Sequence, residues 1–163
     1  MNNRWINVLL AVGLGALCVA VSPRAALAVE YAVVANPDVE VGELKFSELR
    51  KILLGDRQFW STGQKITLII RAPVSDERTV LLEQVYDMTE AQYRQYWISK
   101  VFRAEATHEP KIVLSSGEIL ELIGAIPGGI SIVDAKEVPA GLNVIRIDGK
   151  LPGDAGYLLV DEE

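Results

Sequence analysis

Residues 65–86 read KITLIIRAPVSDERTVLLEQVY, and their reading decides the fold. Ile66, Thr67, Ile69 and Ile70 give an apolar, β-branched run that predicts a strand closed by Arg71. The chain then turns through Ala72, Pro73 and Val74. Ser75 is a natural N-cap, and Asp76 and Glu77 follow in the first turn of a helix. Val80, Leu81, Leu82 and Val85 aim that helix at a core. A strand–turn–helix unit presents unpaired backbone N–H groups at the helix start, where the dipole favours an anion. Arg71, Ser75 and Arg78 lie at that end, beside the N–H groups of Asp76 and Glu77, and these five residues form the candidate binding site. A plainer reading stands beside it: Ser75 caps the helix, Asp76 and Glu77 satisfy its dipole, and Arg71 pairs with one of them.

Upstream, Val29 to Ala35 predicts a short strand broken by Asn36-Pro37-Asp38. A helix capped by Ser47 carries Leu49, Ile52, Leu53 and Leu54 and ends at Gly55. Phe59 and Trp60 sit in the following loop, where they either face a ligand or plug the edge of the core; the plug is the expectation. Downstream, Thr89 and Gln92 form a capping box for a helix whose Tyr93, Tyr96, Trp97, Val101 and Phe102 recur at helical spacing and predict core. Residues 103–110 are polar and irregular. Lys111 to Leu114 predicts a strand, and Ser115 or Ser116 caps a helix through Ile123, with Glu118 as the box partner of Ser115. Pro127-Gly128-Gly129 stops that helix. Ile130 to Val133 and Asn143 to Ile147 complete the strands, and an apolar patch at Tyr157 to Val160 lies in the tail. Strands alternating with helices predict an α/β layered domain with a mixed, largely parallel sheet.

The first 28 of the 163 residues read as a secretory signal peptide. Arg4 supplies the positive start, Ile6 to Val21 is apolar but short for a membrane span, and Ala26-Leu27-Ala28 fits the small-x-small rule. Cleavage before Val29 predicts a periplasmic domain of residues 29–163 with no remaining membrane anchor. It removes Cys18, the one cysteine, leaving nothing to form a disulfide. It also removes two arginines and no acid, so the net charge moves from −6 to −8. So acidic a surface argues against nucleic acid and anionic membranes as partners.

The chemistry available is narrow. One histidine and no mature cysteine exclude a metal cluster. Neither a G-x-x-x-x-G-K-[ST] phosphate loop nor a G-x-G-x-x-G fingerprint is present. A serine hydrolase would need His108 as its base, and His108 stands in a polar loop beside a proline. Glu77 and Glu83 read as solvated helix positions. Nothing calls for an enzyme or a cofactor.

The order of motifs does carry a resemblance. AVVANPDV, LRKILLGDRQFW, the arginine–serine turn of Arg71 and Ser75, and PGGISIVD succeed one another along nearly all of residues 29–163. This order resembles the phosphate-type substrate-binding proteins of bacterial ABC transporters, in particular a short exported subgroup. The resemblance implies one lobe of the type II periplasmic-binding-protein fold. It implies an oxyanion such as phosphate as ligand, with Arg71 and Ser75 matching the family's arginine and serine. Asp76 and Glu77 depart from the family pattern, which has glycine and threonine there. Carboxylates at the mouth of a phosphate site repel the ligand.

Two functional expectations follow. One is a solute-binding domain for phosphate or another oxyanion, working with an ABC transporter permease. The other is an interaction module that has lost ligand binding and docks on another periplasmic protein. Phe59, Trp60 and the tail around Tyr157 are candidates for its docking face.

Overall fold

A computed structural model describes residues 28–161. The proposed leader, apart from its last residue, lies outside them. Seven strands form one sheet in the order β2-β6-β1-β5-β3-β4, with β7 paired to β1. They are β1 (Val29–Ala35), β2 (Glu43–Leu44), β3 (Thr67–Arg71), β4 (Lys111–Val113), β5 (Gly129–Asp134), β6 (Asn143–Ile147) and β7 (Val160–Asp161). β3 is parallel to β4 and β5, and β2 is parallel to β6. β1 is antiparallel to β5, β6 and β7. The sheet is therefore mixed and largely parallel, with β1 alone running against the other strands. The two-residue strands β2 and β7 are too short to leave a sequence signal.

Both faces of the sheet are covered. On β1, Tyr31, Val33 and Ala35 join the larger core, while Ala32 and Val34 join the smaller one. This alternation is the two-residue period of a strand. The larger core takes Leu49, Ile52 and Leu53 from α1 (Phe46–Leu53) and Tyr93 and Trp97 from α3 (Glu90–Phe102). The smaller core takes Ile119 and Ile123 from α4 (Ser116–Ala125). Asn36, buried at the end of β1, donates to the carbonyls of Ile123 (2.8 Å) and Gly124 (3.3 Å), tying the strand end to α4.

Several local expectations are corrected. α1 starts after Lys45, not Ser47. Glu48 accepts from the Lys45 N–H (3.0 Å) and Asp148 from the Phe46 N–H (3.1 Å), so donors are met without a hydroxyl. The helix after Ser75 is α only over α2 (Asp76–Val80) and then widens into a π-helix over Leu81–Tyr86, ended by Asp87 in the left-handed region. Phe102 is 89% exposed, so the apolar stripe of α3 stops short of it, and Lys100 is buried in its stead. Lys100 meets Asp56 through Nζ and lies near the Tyr96 ring. Trp60 is buried and donates from Nε1 to the Gly128 carbonyl (3.1 Å), which makes it the plug; Phe59 stays exposed. Tyr157 and Leu159 are buried too, with the Tyr157 hydroxyl donating to the Tyr31 carbonyl (2.8 Å). Trp60, Tyr157 and Leu159 are therefore core and supply no docking face, while Phe59 and Leu158 remain exposed. Gly128 has φ +74°, and a Cβ there would meet the Lys65 carbonyl oxygen at 2.1 Å, so glycine is required.

Candidate functional site

The carboxyl ends of β3 and β5 meet the amino end of β1 at one edge of the domain. Ligands of open α/β sheets bind at carboxyl strand ends. Arg71 closes β3, Asp134 closes β5, and Tyr31 of β1 is in register with Asp134. The first turn of α2 adds Asp76 and Glu77, and the first residue of α4 adds Ser116. These groups line a cavity of about 340 Å³, which Glu137 and Asp161 also border.

The five residues expected from the sequence divide between this cavity and other duties. Arg71, Asp76 and Glu77 line it. Ser75 is the N-cap: its Oγ accepts from the Arg78 N–H (3.2 Å). Arg78 turns to α3. Its Nε and Nη2 donate to Glu90 (3.0 and 2.9 Å), and its guanidinium lies 3.9 Å from the centre of the Tyr93 ring. Burial would lower the Arg78 pKa, but the hydrogen bonds to Glu90 hold it above the usual range. The side-chain duties of Ser75 and Arg78 therefore lie away from the cavity.

Glu77 is not solvated, contrary to the expectation from its helical position. It is 7% exposed. Its Oε2 accepts from Arg71 Nε (3.4 Å) and its Oε1 from the Ser116 hydroxyl (2.9 Å). A guanidinium from one strand end and a hydroxyl from the next helix start thus converge on a carboxylate that belongs to the chain itself. Arg71 Nη1 is buried and has no partner. Around this one cation stand the carboxylates of Asp76, Glu77, Asp134, Glu137 and Asp161. Their field reaches Tyr31, whose pKa is raised first by burial and then by Asp76, Asp161, Glu77 and Asp134. Among the described residues no acidic group is arranged to hold a metal ion.

Ser116, read in the sequence only as an alternative cap to Ser115, lines the cavity instead, and a signal for this was present. The unit from Lys111 to Ala125 repeats the plan of strand, serine and helix seen around Ser75, and the cap position (Ser115) places the next serine at the cavity. Tyr31, Asp134, Glu137 and Asp161 arrive from distant segments and had no local signature.

The turn between β3 and α2 is strained. Val74 has φ +74° and is 99% exposed, and a β-branched residue rarely adopts that conformation.

No family model and no curated protein matches the sequence. Solved structures do match the fold. PstS from Borrelia burgdorferi superimposes with a TM-score of 0.66 at 20% identity, covering 83% of this chain and 55% of that one. An ABC-type phosphate transport receptor from Vibrio cholerae gives 0.60 at 16% identity, covering 77% and 49%. The chain spans about half the length of these proteins. Its architecture is that of one lobe of the periplasmic-binding-protein fold, similar to phosphate transport binding proteins.

Proposed function

We propose that the chain is an exported, periplasmic, non-enzymatic domain of the solute-binding type, and that phosphate or a related oxyanion is its ligand at Arg71. The observation that carries this reading is the buried, unpartnered Nη1 of Arg71 at the carboxyl end of β3. A guanidinium with a free donor suits a tetrahedral oxyanion. Ser116 and the start of α2 stand on the other sides of the same cavity. Glu77 acts as an internal competitor: an incoming oxyanion must displace its carboxylate from Arg71 and Ser116. Binding is therefore weak, and Arg78 and Ser75 support the site only through the helix they brace and cap. An ABC transporter permease is the partner this reading implies.

A second reading has its own support. Five carboxylates around one cation disfavour any anion, which fits a domain that has given up ligand binding and docks on another periplasmic protein. Isothermal titration of the purified protein with phosphate and sulfate separates the two. Saturable heat that is lost in Arg71→Ala supports the oxyanion site. No heat at millimolar ligand supports the interaction module. Export is tested by N-terminal sequencing of the periplasmic protein, where Val29 is the expected first residue and Met1 rules out cleavage.

A further inference from the structure

The cavity at Arg71 carries more negative charge than a plain oxyanion site tolerates. Of its carboxylates, Glu77 is paired with Arg71. Among the described residues Asp76, Asp134, Glu137 and Asp161 pair with no lysine or arginine. Tyr31 gives a second, independent sign of a ligand. It is 2% exposed, yet among the described residues its hydroxyl has no hydrogen-bond partner. That oxygen is not sealed from solvent, so it opens into the cavity that the residue lines. A phenol there can donate to a phosphoryl oxygen or accept from an ammonium.

A bare oxyanion leaves the site unbalanced. It takes Arg71 from Glu77, which is 7% exposed, and a buried charge stripped of its partner is costly. A ligand that carries a cation beside its anion avoids that cost. Its anion takes Arg71 and Ser116, and its cation takes the freed Glu77. The unpaired carboxylates around Glu77 then attract the ligand's cation where they would repel a second anion. The cavity volume of about 340 Å³ lies at the lower end of small-molecule sites, roughly 300–1,000 Å³. We propose that this site takes a zwitterion, a phosphoryl or phosphonyl group joined by a short chain to an ammonium, which rests on the oxyanion reading of Arg71 and narrows its ligand. Arg71 and Ser116 hold the anion, and Glu77 with the unpaired carboxylates holds the cation.

Isothermal titration of the purified protein compares three probes. Phosphoethanolamine carries both charges, ethyl phosphate lacks the ammonium, and ethylamine lacks the phosphoryl group. Phosphoethanolamine is expected to bind about tenfold more tightly than ethyl phosphate, the gain of one charge-assisted contact, and ethylamine is expected to be weakest. Glu77→Gln keeps the size of the side chain and removes its charge; it is expected to erase most of that preference by tightening ethyl phosphate. Asp134→Asn, at a less buried position, is expected to reduce the preference too and serves if Glu77→Gln does not fold. Ethyl phosphate that binds as tightly as phosphoethanolamine, with heat lost in Arg71→Ala, overturns the zwitterion and leaves the oxyanion reading standing. Ethylamine that binds as tightly as phosphoethanolamine, or no heat from any probe, overturns both. Phosphoethanolamine is also a lipid headgroup, so sedimentation with phosphatidylethanolamine vesicles distinguishes the sources. Heat from the free molecule without co-sedimentation supports a soluble zwitterion, and co-sedimentation blocked by free phosphoethanolamine supports the headgroup.

Discussion

Replacing Asp76 by glycine and Glu77 by threonine together separates capping from binding. In the unliganded protein the change is destabilising. Each acid in the first turn of α2 contributes about 0.3–1 kcal/mol through the helix dipole. Removing Glu77 also strips Arg71 Nε and Ser116 Oγ of their partner, and the Arg71 and Glu77 side chains are only 17% and 9% exposed. Leaving a buried donor unmet costs about 1–3 kcal/mol; water in the cavity takes over the Ser116 hydroxyl, so one such loss and the two dipole contributions put the double variant about 2–5 kcal/mol below the wild type. Phosphate should return part of that. A unit charge about 4 Å from another is worth about 4 kcal/mol at an effective dielectric of about 20. Taking Glu77 away from a bound phosphate relieves a repulsion of that order, which opening toward solvent reduces. A gain in affinity of about tenfold to a hundredfold is expected. Thermal melts of the wild type, the double variant and the double variant with Arg71→Ala, each with rising phosphate, read both effects. At a hundred times Kd, phosphate adds about 2.7 kcal/mol. A folded double variant whose melting ignores phosphate, or responds equally without Arg71, refutes the assignment of this turn as an anion site.

Val74→Gly should stabilise the protein by about 0.5–1 kcal/mol in urea melts, since relief of the left-handed strain exceeds the added entropy of the unfolded chain; a loss of stability would mean that the turn is not strained. Trp97→Ala should cost about 3–5 kcal/mol, because a side chain 3% exposed, packed at 88° on Tyr96, leaves a large void; a cost below about 1 kcal/mol would place Trp97 on the surface. Alkaline titration tests the tyrosines. Tyr31, Tyr86, Tyr93 and Tyr157 all have pKa values raised chiefly by burial, Tyr93 to about 12. A phenol raised in the fold gives stability that is complete below its unfolded pKa of about 10 and is lost as pH climbs toward the folded value. Read in a Tyr96→Phe background, phenolate absorbance should therefore rise together with unfolding; absorbance of these four rising near pH 10 in a protein still folded would contradict this burial.

The main elements were legible because each carried its own start and stop. Ser75, Thr89 and Ser115 cap the helices expected of them, and Gly55 and Gly128 hold the positive φ that their turns need. Arg71 was legible as a residue at the end of its strand, where it lines the cavity, because it closes an apolar β-branched run just before a capped helix. What failed to show depends on contacts between distant segments. Nothing local distinguishes Glu77 from the exposed Glu83, and only the arrival of Ser116 from α4 and Arg71 from β3 buries it. Ser75 and Arg78 lie in the right stretch of chain, but the orientation of a side chain around a helix start is decided by its partners. Arg78 found Glu90 and Tyr93. The widening of the helix over Leu81–Tyr86 has no breaker residue to announce it.

The lone reversed strand, β1, has a consequence for the order in which the chain can fold. Among the described residues β1 is the first strand made, yet its long edges are covered by β5 and β6, which come from the far end of the chain. At about 5–20 residues per second of synthesis, β1 waits roughly 5–20 s before either partner exists. Until then the only long strand pairing within reach is that of β3 with β4. Such non-local pairing closes slowly, so the centre of the sheet is completed last, after the β3–β4 pair.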